Sequence, residues 1–275
     1  MADIGRMNKM KVVKKTPQGL YLTDRDDIEI LLPSKYVTDM MKPDDIIEVF
    51  VYMDSEDRLI ATTQTPNAMV DDFAFLKVVD SNKTGAFLDW GLQKDLFVPH
   101  GEQQNSMFKG EYYVVRVYED NSGRVAASSK LDKFMNRRDS DFKEGQKVEL
   151  LLCEPTDLGF KAIIEGENWG LIYNNGIFKK LERGQKTTGY IQKIREDGKI
   201  DLTLQKPGFS TNENLQEEII EHLKNNNNKS HLNDKCSPEE IYQTFGVSKS
   251  QYKQALGMLY RQKKIKIEKS GITLL

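Results

Sequence analysis

Residues 85–100 read GAFLDWGLQKDLFVPH. Two apolar-alternating runs flank a polar tip, the pattern of a half-buried hairpin. With Ala86 and Leu88 turned inward, parity turns Phe87 outward and gives Trp90 the inward sense. The same shape occurs at GLYLTDRDDIEILLPSKY (19–36) and GFKAIIEGENWGLIYNNG (159–176). Each copy opens on a glycine (Gly19, Gly85 and Gly159), at spacings of 66 and 74 residues. Glycine inside a strand marks a bulge or a sharp bend, as a small barrel needs at its corners.

A second hairpin follows each of these: IIEVFVYMDSEDRLIATTQ (46–64), YYVVRVYEDNSGRVAASSK (112–130) and TTGYIQKIREDGKIDLTLQ (187–205). Ser55–Asp57, Asn121–Gly123 and Asp197–Gly198 supply the residues a tight turn requires. Five short strands, written out three times, predict three tandem five-stranded barrels of the OB type. A β-sandwich built jointly by two units is the alternative. The fold class is therefore mainly β with a C-terminal α+β domain. The expected domains are 1–66, 67–143 and 144–206 for the barrels and 210–275 for the last.

Outward rings on the second and third strands of such a barrel are candidates for stacking on bases, worth about 1–3 kcal/mol per base. Phe87 is one. Tyr21 holds its place in the first copy, and Lys161 replaces the ring in the third. On the partner strand the reading aligns Val98 with Leu32 and with Tyr173. Packing of Phe87 on a neighbouring domain is the structural alternative. Arg58, Arg124 and Lys199 each open the last strand of their unit, and a basic side chain there can grip phosphate or stack on a base. Asp54 and Asp120 stand four residues before the two arginines, so a turn salt bridge is the competing reading.

The glycine–x–aromatic strand, the second apolar strand and the acid–x–x–x–basic hairpin together resemble the S-one RNA-binding domain. GAFLDWGLQKDLFVP, ENWGLIYNN and SPEEIYQTFGVSKSQYKQALGMLYRQKKIKIEKSGI are more closely similar to the conserved virulence factor B family of bacterial proteins. That resemblance implies three such domains ahead of a winged helix, and RNA binding. Gln18, Thr84 and Leu158 stand where the first ring of the repeat would lie. Leu32 and Val98 replace its histidine, with a ring kept only at Tyr173. Each barrel alone is expected to bind weakly, and linkage of several raises the effective concentration.

Helical spacing replaces period 2 after QKPGFSTNEN (205–214), which reads as a linker. Leu215, Ile219, Ile220 and Leu223 form an apolar face, closed by four asparagines at 225–228. Ser237-Pro238-Glu239-Glu240 combines an N-cap, a proline at the first helical position and a capping box. That helix presents Ile241, Tyr242 and Phe245 and ends at Gly246. The next starts at Ser248 with Gln251 and turns Ala255, Leu256 and Leu259 inward. KIKIEKSGITLL (264–275) alternates as a hairpin around Ser270-Gly271. Three helices and a two-stranded wing make a winged helix, in which the third helix is the recognition element. Its candidate nucleic-acid contacts are Lys249, Ser250 and Lys253, with Lys263, Lys264, Lys266 and Lys269 at the wing. A solvated face, or contact with protein, is the plainer reading. KLDKFMNRRDSDFKEG (130–145) reads as a short basic helix or linker anchored by Leu131 and Phe134, exposing Lys130, Lys133, Arg137 and Arg138.

The net charge of −2 means that a polyanion would be met by local patches. No apolar run approaches the roughly 20 residues of a membrane span, and the start shows no apolar signal segment. Two distant cysteines, Cys153 and Cys236, suit a reducing compartment, so a cytoplasmic protein without membrane partners is expected. His100, His222 and His231 lack metal-ligand spacing, and no P-loop, G-x-S-x-G or CxxC occurs. Neither a catalytic centre nor a metal or cofactor is expected. The reading is a non-catalytic RNA-binding protein, a post-transcriptional regulator. It would hold single-stranded or loop RNA on Tyr21, Phe87 and Tyr173, with Arg58, Arg124 and Lys199 on phosphates. A DNA-binding regulator led by the winged helix, and a scaffold for ribosome-associated or RNA-processing proteins, are the alternatives.

Overall fold

The computed structural model describes residues 2–24, 28–135, 141–177, 180–205, 212–268 and 270–275, with backbone alone at 212–214. The first barrel comprises β1 (Arg6–Thr16), β2 (Gly19–Thr23), β3 (Glu29–Pro33), β4 (Ile46–Met53) and β5 (Leu59–Thr62). The second comprises β6 (Phe73–Ser81), β7 (Gly85–Asp89), β8 (Leu96–Pro99), β9 (Tyr112–Glu119) and β10 (Val125–Ser128). The third comprises β11 (Lys147–Thr156), β12 (Gly159–Ile164), β13 (Asn168–Tyr173), β14 (Lys186–Ile194) and β15 (Ile200–Thr203). All three close with the strand order first–second–third–fifth–fourth. The third and fifth strands run parallel and the remaining pairs antiparallel, as in an OB barrel.

The opening glycines serve close approach rather than a bulge. A Cβ at Gly19 would lie 2.0 Å from the Leu32 carbonyl oxygen, at Gly85 2.2 Å from that of Val98, and at Gly159 1.9 Å from that of Ile172. The bend comes instead from the first strand, whose register slips between Val12 and Lys14, Val78 and Asp80, and Leu152 and Glu154. A bulge there lets a short sheet curl shut.

The first two barrels are not independent. Along β4 the side chains alternate between two cores: Val49 and Val51 join the interior of their own barrel, whereas Phe50 and Tyr52 join that of the second. Trp90 is buried, as its parity predicts, yet its ring meets those two edge-on, at 5.6 Å from Phe50 and 6.4 Å from Tyr52. Edge-to-face pairs of this kind add about 0.5–1.5 kcal/mol each beyond their area. The Trp90 indole N–H donates to the Lys94 carbonyl at 2.5 Å, and the Lys94 ammonium donates to the carbonyls of Met53 (2.9 Å) and Asp54 (2.8 Å). The polar tip of the opening stretch thus packs against the outer face and end of β4 of the first barrel. After β10 the chain forms a short 3-10 turn, Leu131–Phe134. Arg137 and Arg138 lie outside the described residues.

Residues 1–135 and 136–275 are two compact units. In the second unit the third barrel is followed by α1 (Asn212–Asn225), β16 (Lys229–Ser230), α2 (Pro238–Phe245), α3 (Lys249–Arg261), β17 (Ile265–Glu268) and β18 (Gly271–Leu274). Both capping boxes form: Ser237 with Glu240, and Ser248 with Gln251. Gly246 ends α2 with φ +66°, a conformation that costs glycine least. Leu215, Ile219, Leu223, Ile241, Phe245, Ala255, Leu256 and Leu259 share one core. Tyr252, which sequence reasoning passed over, is fully buried there and donates to the Leu232 carbonyl at 2.9 Å. The wing gains a third strand, because β16 pairs with β18. Among the described residues no helix is long and apolar enough to cross a membrane.

Candidate nucleic-acid interface

On β13, Gly170 and Ile172 point into the third barrel, and alternation leaves Trp169, Leu171 and Tyr173 in a row outside, each half-buried. These side chains floor a groove of about 890 Å³. Its walls are the β11–β12 turn (Thr156, Asp157, Leu158) and the β14–β15 hairpin from Arg195 to Lys199. The Lys161 ammonium stands 3.8 Å from the centre of the Trp169 ring. Arg195 lies 5.6 Å from the centre of the Tyr173 ring, donates to its hydroxyl, and is held by Asp201 at 2.9 Å. Lys199, at the mouth, pairs with Asp197 at 2.7 Å and stays largely exposed. Three basic groups therefore share the groove with four carboxylates, Asp157, Glu196, Asp197 and Asp201, and Arg195 and Lys199 are in ion pairs with two of them. Rings, not net charge, are what this groove offers.

Register shows how the other two barrels compare. Gly19 faces Pro33, Gly85 faces Pro99 and Gly159 faces Tyr173. Tyr173 is therefore equivalent to Pro33 and Pro99, one residue on from the alignment with Leu32 and Val98 that sequence reasoning favours. Leu32, Val98 and Ile172 are the true equivalents, all fully buried, and a one-residue slip exchanges the two faces of a strand. Tyr21, Phe87 and Lys161 do occupy one position, as expected. They face Leu31, Phe97 and Leu171 respectively. Outside the first barrel, Lys14 lies 4.8 Å from the centre of the Tyr21 ring and pairs with Glu29 at 2.6 Å. Outside the second, Phe87 packs on Phe97 with ring centres 5.2 Å apart.

The recurring basic residues take three different partners. Arg58 is neutralised by Asp54 and Glu56, each at 2.7 Å. Burial opposes ionisation of Asp54, but hydrogen bonds from the Arg58 backbone and guanidinium outweigh it and hold the carboxyl below its usual range. Arg124 does not pair through its side chain with Asp120, which accepts its backbone N–H at 3.0 Å. The guanidinium reaches Asp57 of the first barrel instead (2.8 Å from Nε) and so helps to join the two barrels. Lys199 lines the groove of the third barrel. Phe97, Trp169 and Arg195 are the residues that sequence reasoning missed. Parity signals the first two, since each lies one step from a buried strand residue.

A family model described as a CvfB-like winged helix domain matches residues 217–274, and the S1 domain model matches residues 4–64 and 73–130. The chain is 28% identical to YitL of Bacillus subtilis (strain 168) over 95% of its own length and 90% of that protein. It is 26% identical to conserved virulence factor B of Staphylococcus aureus (strain USA300) over 85% of its length and 83% of that protein. A crystal structure of a multidomain protein with nucleic acid binding domains from Streptococcus pneumoniae covers 99% of this chain and 98% of that one, with 24% identity and a TM-score of 0.44. The chain thus carries S1 domains and a CvfB-like winged helix domain, and is similar over most of its length to proteins named conserved virulence factor B and YitL. The S1 matches cover the first two barrels, and the third repeats their strand order.

In the winged helix, Ser250 and Lys253 are exposed on α3, whereas Lys249 is half-buried and donates to the Lys235 carbonyl at 3.5 Å. Lys263 and Lys264 are exposed just beyond α3, and Lys266 pairs with Glu268 at 2.7 Å. Lys269 lies outside the described residues. Lys133 is exposed, as expected, and pairs with Glu102 over the rings of Tyr118 and Phe134. Among the described residues no group of three or more His, Cys, Asp or Glu side chains gathers to hold a metal ion.

Proposed function

We propose that this chain is a non-catalytic RNA-binding protein that acts as a post-transcriptional regulator, and that single-stranded or loop RNA lies in the groove of the third barrel. The observation that carries the reading is the outward row Trp169–Leu171–Tyr173, with a cation set beside each ring. Every base has a face that can stack, so two rings on one strand grip a strand without demanding a sequence. Lys161 and Arg195 add cation–π and phosphate contact at the same place. Lys253, Lys263 and Lys264 are exposed on the winged helix, where phosphate contact would raise affinity without reading bases.

The test is fluorescence anisotropy with a labelled single-stranded RNA and, in parallel, a duplex DNA. Trp169→Ala is expected to weaken RNA binding by about 1–3 kcal/mol. Equal binding of variant and wild type would refute the groove as the site. Tighter binding of duplex DNA than of RNA would favour a regulator led by the winged helix.

A further inference from the structure

The second barrel presents a different chemistry on the same face. Phe87 and Phe97 oppose each other across β7 and β8, both half-buried, their rings tilted 39° at 5.2 Å. Asp80 on β6 lies level with Phe87. One outward step further along, Asp89 at the end of β7 and Asp95 just before β8 are exposed. The positions these residues hold are filled in the third barrel by Lys161 for Phe87 and Trp169 for Asp95. A cation has become a ring, and a ring a carboxylate.

That charge is not paired off in salt bridges. Among the described residues none of the three aspartates is in an ion pair; Asp89 accepts only the Gly91 N–H, at 3.0 Å. Lys77 stands opposite Asp89, which leaves a surplus of negative charge. The basic residues that could balance the rest are drawn off to the first barrel: Lys94 to the Met53 and Asp54 carbonyls, Arg124 to Asp57. Burial, then repulsion from Asp89 and Asp80, pushes the Asp95 carboxyl up. A phosphate backbone would meet carboxylates here before it reached a ring.

We propose that this face of the second barrel docks an extended, arginine- or lysine-bearing segment of a partner protein. A guanidinium or ammonium lies on the Phe87–Phe97 pair, and Asp80, Asp89 and Asp95 pair with its charge. A closed barrel has no free edge to add a strand to, so side chains rather than backbone ladders carry the contact. The proposal is independent of the RNA reading of the third barrel.

The full chain is titrated at low salt against a labelled peptide of alternating arginine and glycine, with an alternating glutamate–glycine peptide and a short oligouridylate as comparisons. Asp80→Asn, Asp89→Asn and Asp95→Asn together are expected to weaken the arginine peptide by about fivefold or more. Phe87→Leu with Phe97→Leu keeps apolar bulk without the ring quadrupole and is expected to cost about threefold. Oligouridylate binding should not fall in either variant, whereas Trp169→Ala reduces it. Failure of the wild type to prefer the arginine peptide, or equal binding by the asparagine variant, would overturn the proposal. So would loss of oligouridylate binding in the leucine variant, which would put nucleic acid on this face. Loss of the RNA reading shows separately, in Trp169→Ala.

Discussion

Phe50→Ala tests whether the first two barrels are one folding body. Phe50 belongs to β4 of the first barrel, yet it is fully buried and its ring lies 5.6 Å from that of Trp90 in the second. Removing a ring from such a site costs about 3–5 kcal/mol, because the surroundings close the cavity only in part. That is a large share of the roughly 5–15 kcal/mol margin of a folded domain. The chain has two tryptophans, Trp90 in one compact unit and Trp169 in the other. In a Trp169→Phe background, Trp90 therefore reports on the second barrel while the mutation sits in the first. Taking about 4 kcal/mol and a urea slope of about 2 kcal/mol per molar, the midpoint should fall by about 2 M. Arg124→Ala is the contrast: its ion pair with Asp57 is open to solvent, which screens it, so the midpoint should scarcely move. Were the barrels independent, Phe50→Ala would unfold the first alone and the Trp90 transition would keep its midpoint. That result would refute the shared core.

Three further expectations follow from the second unit. Lys161→Ala should make the salt dependence of RNA affinity shallower by about 0.7 in the log–log slope, one phosphate on a single strand, and an unchanged slope would remove Lys161 from phosphate contact. His222 is half-buried, with Nε2 3.1 Å from the Ser230 hydroxyl, and burial followed by repulsion from His231 holds its pKa below the ordinary 6.5. The unfolded chain takes up that proton first as pH falls, so stability should drop on acidification below about pH 6.5, and His222→Gln should lessen the drop in urea midpoints. Cys153 is buried, and burial pushes its thiol up to about 12. A thiol reagent should label the half-buried Cys236 in the native protein and reach Cys153 only on unfolding; equal rates would contradict its burial.

What was legible in the sequence is what neighbouring residues decide. Alternation places Ala86 and Leu88 inside and Phe87 outside. Ser237 with Glu240, and Ser248 with Gln251, mark the helix starts because a capping box closes within four residues. Three closed barrels and a winged helix follow from repeats of such local signals. Cross-strand and cross-barrel pairing is less visible. The place of Tyr173 depends on which residue Gly159 faces, a fact of register, and the slip by one put it level with buried residues. Arg124 finds its partner 67 residues away rather than across its own turn. The run Val49-Phe50-Val51-Tyr52 did carry a trace of the shared core, since a strand apolar on both faces is covered on both. Trp169 lay within reach of the same alternation, one step from the buried Gly170, but a strand's second residue draws less notice than its centre.

Ultraviolet crosslinking of the full chain to single-stranded RNA, followed by mass mapping of the modified peptides, addresses the division of labour among the barrels. Peptides containing Trp169 and Tyr173 should carry the nucleotide adducts, and those containing Phe87 and Phe97 should not. Adducts concentrated on the second barrel, with the third unmarked, would contradict it.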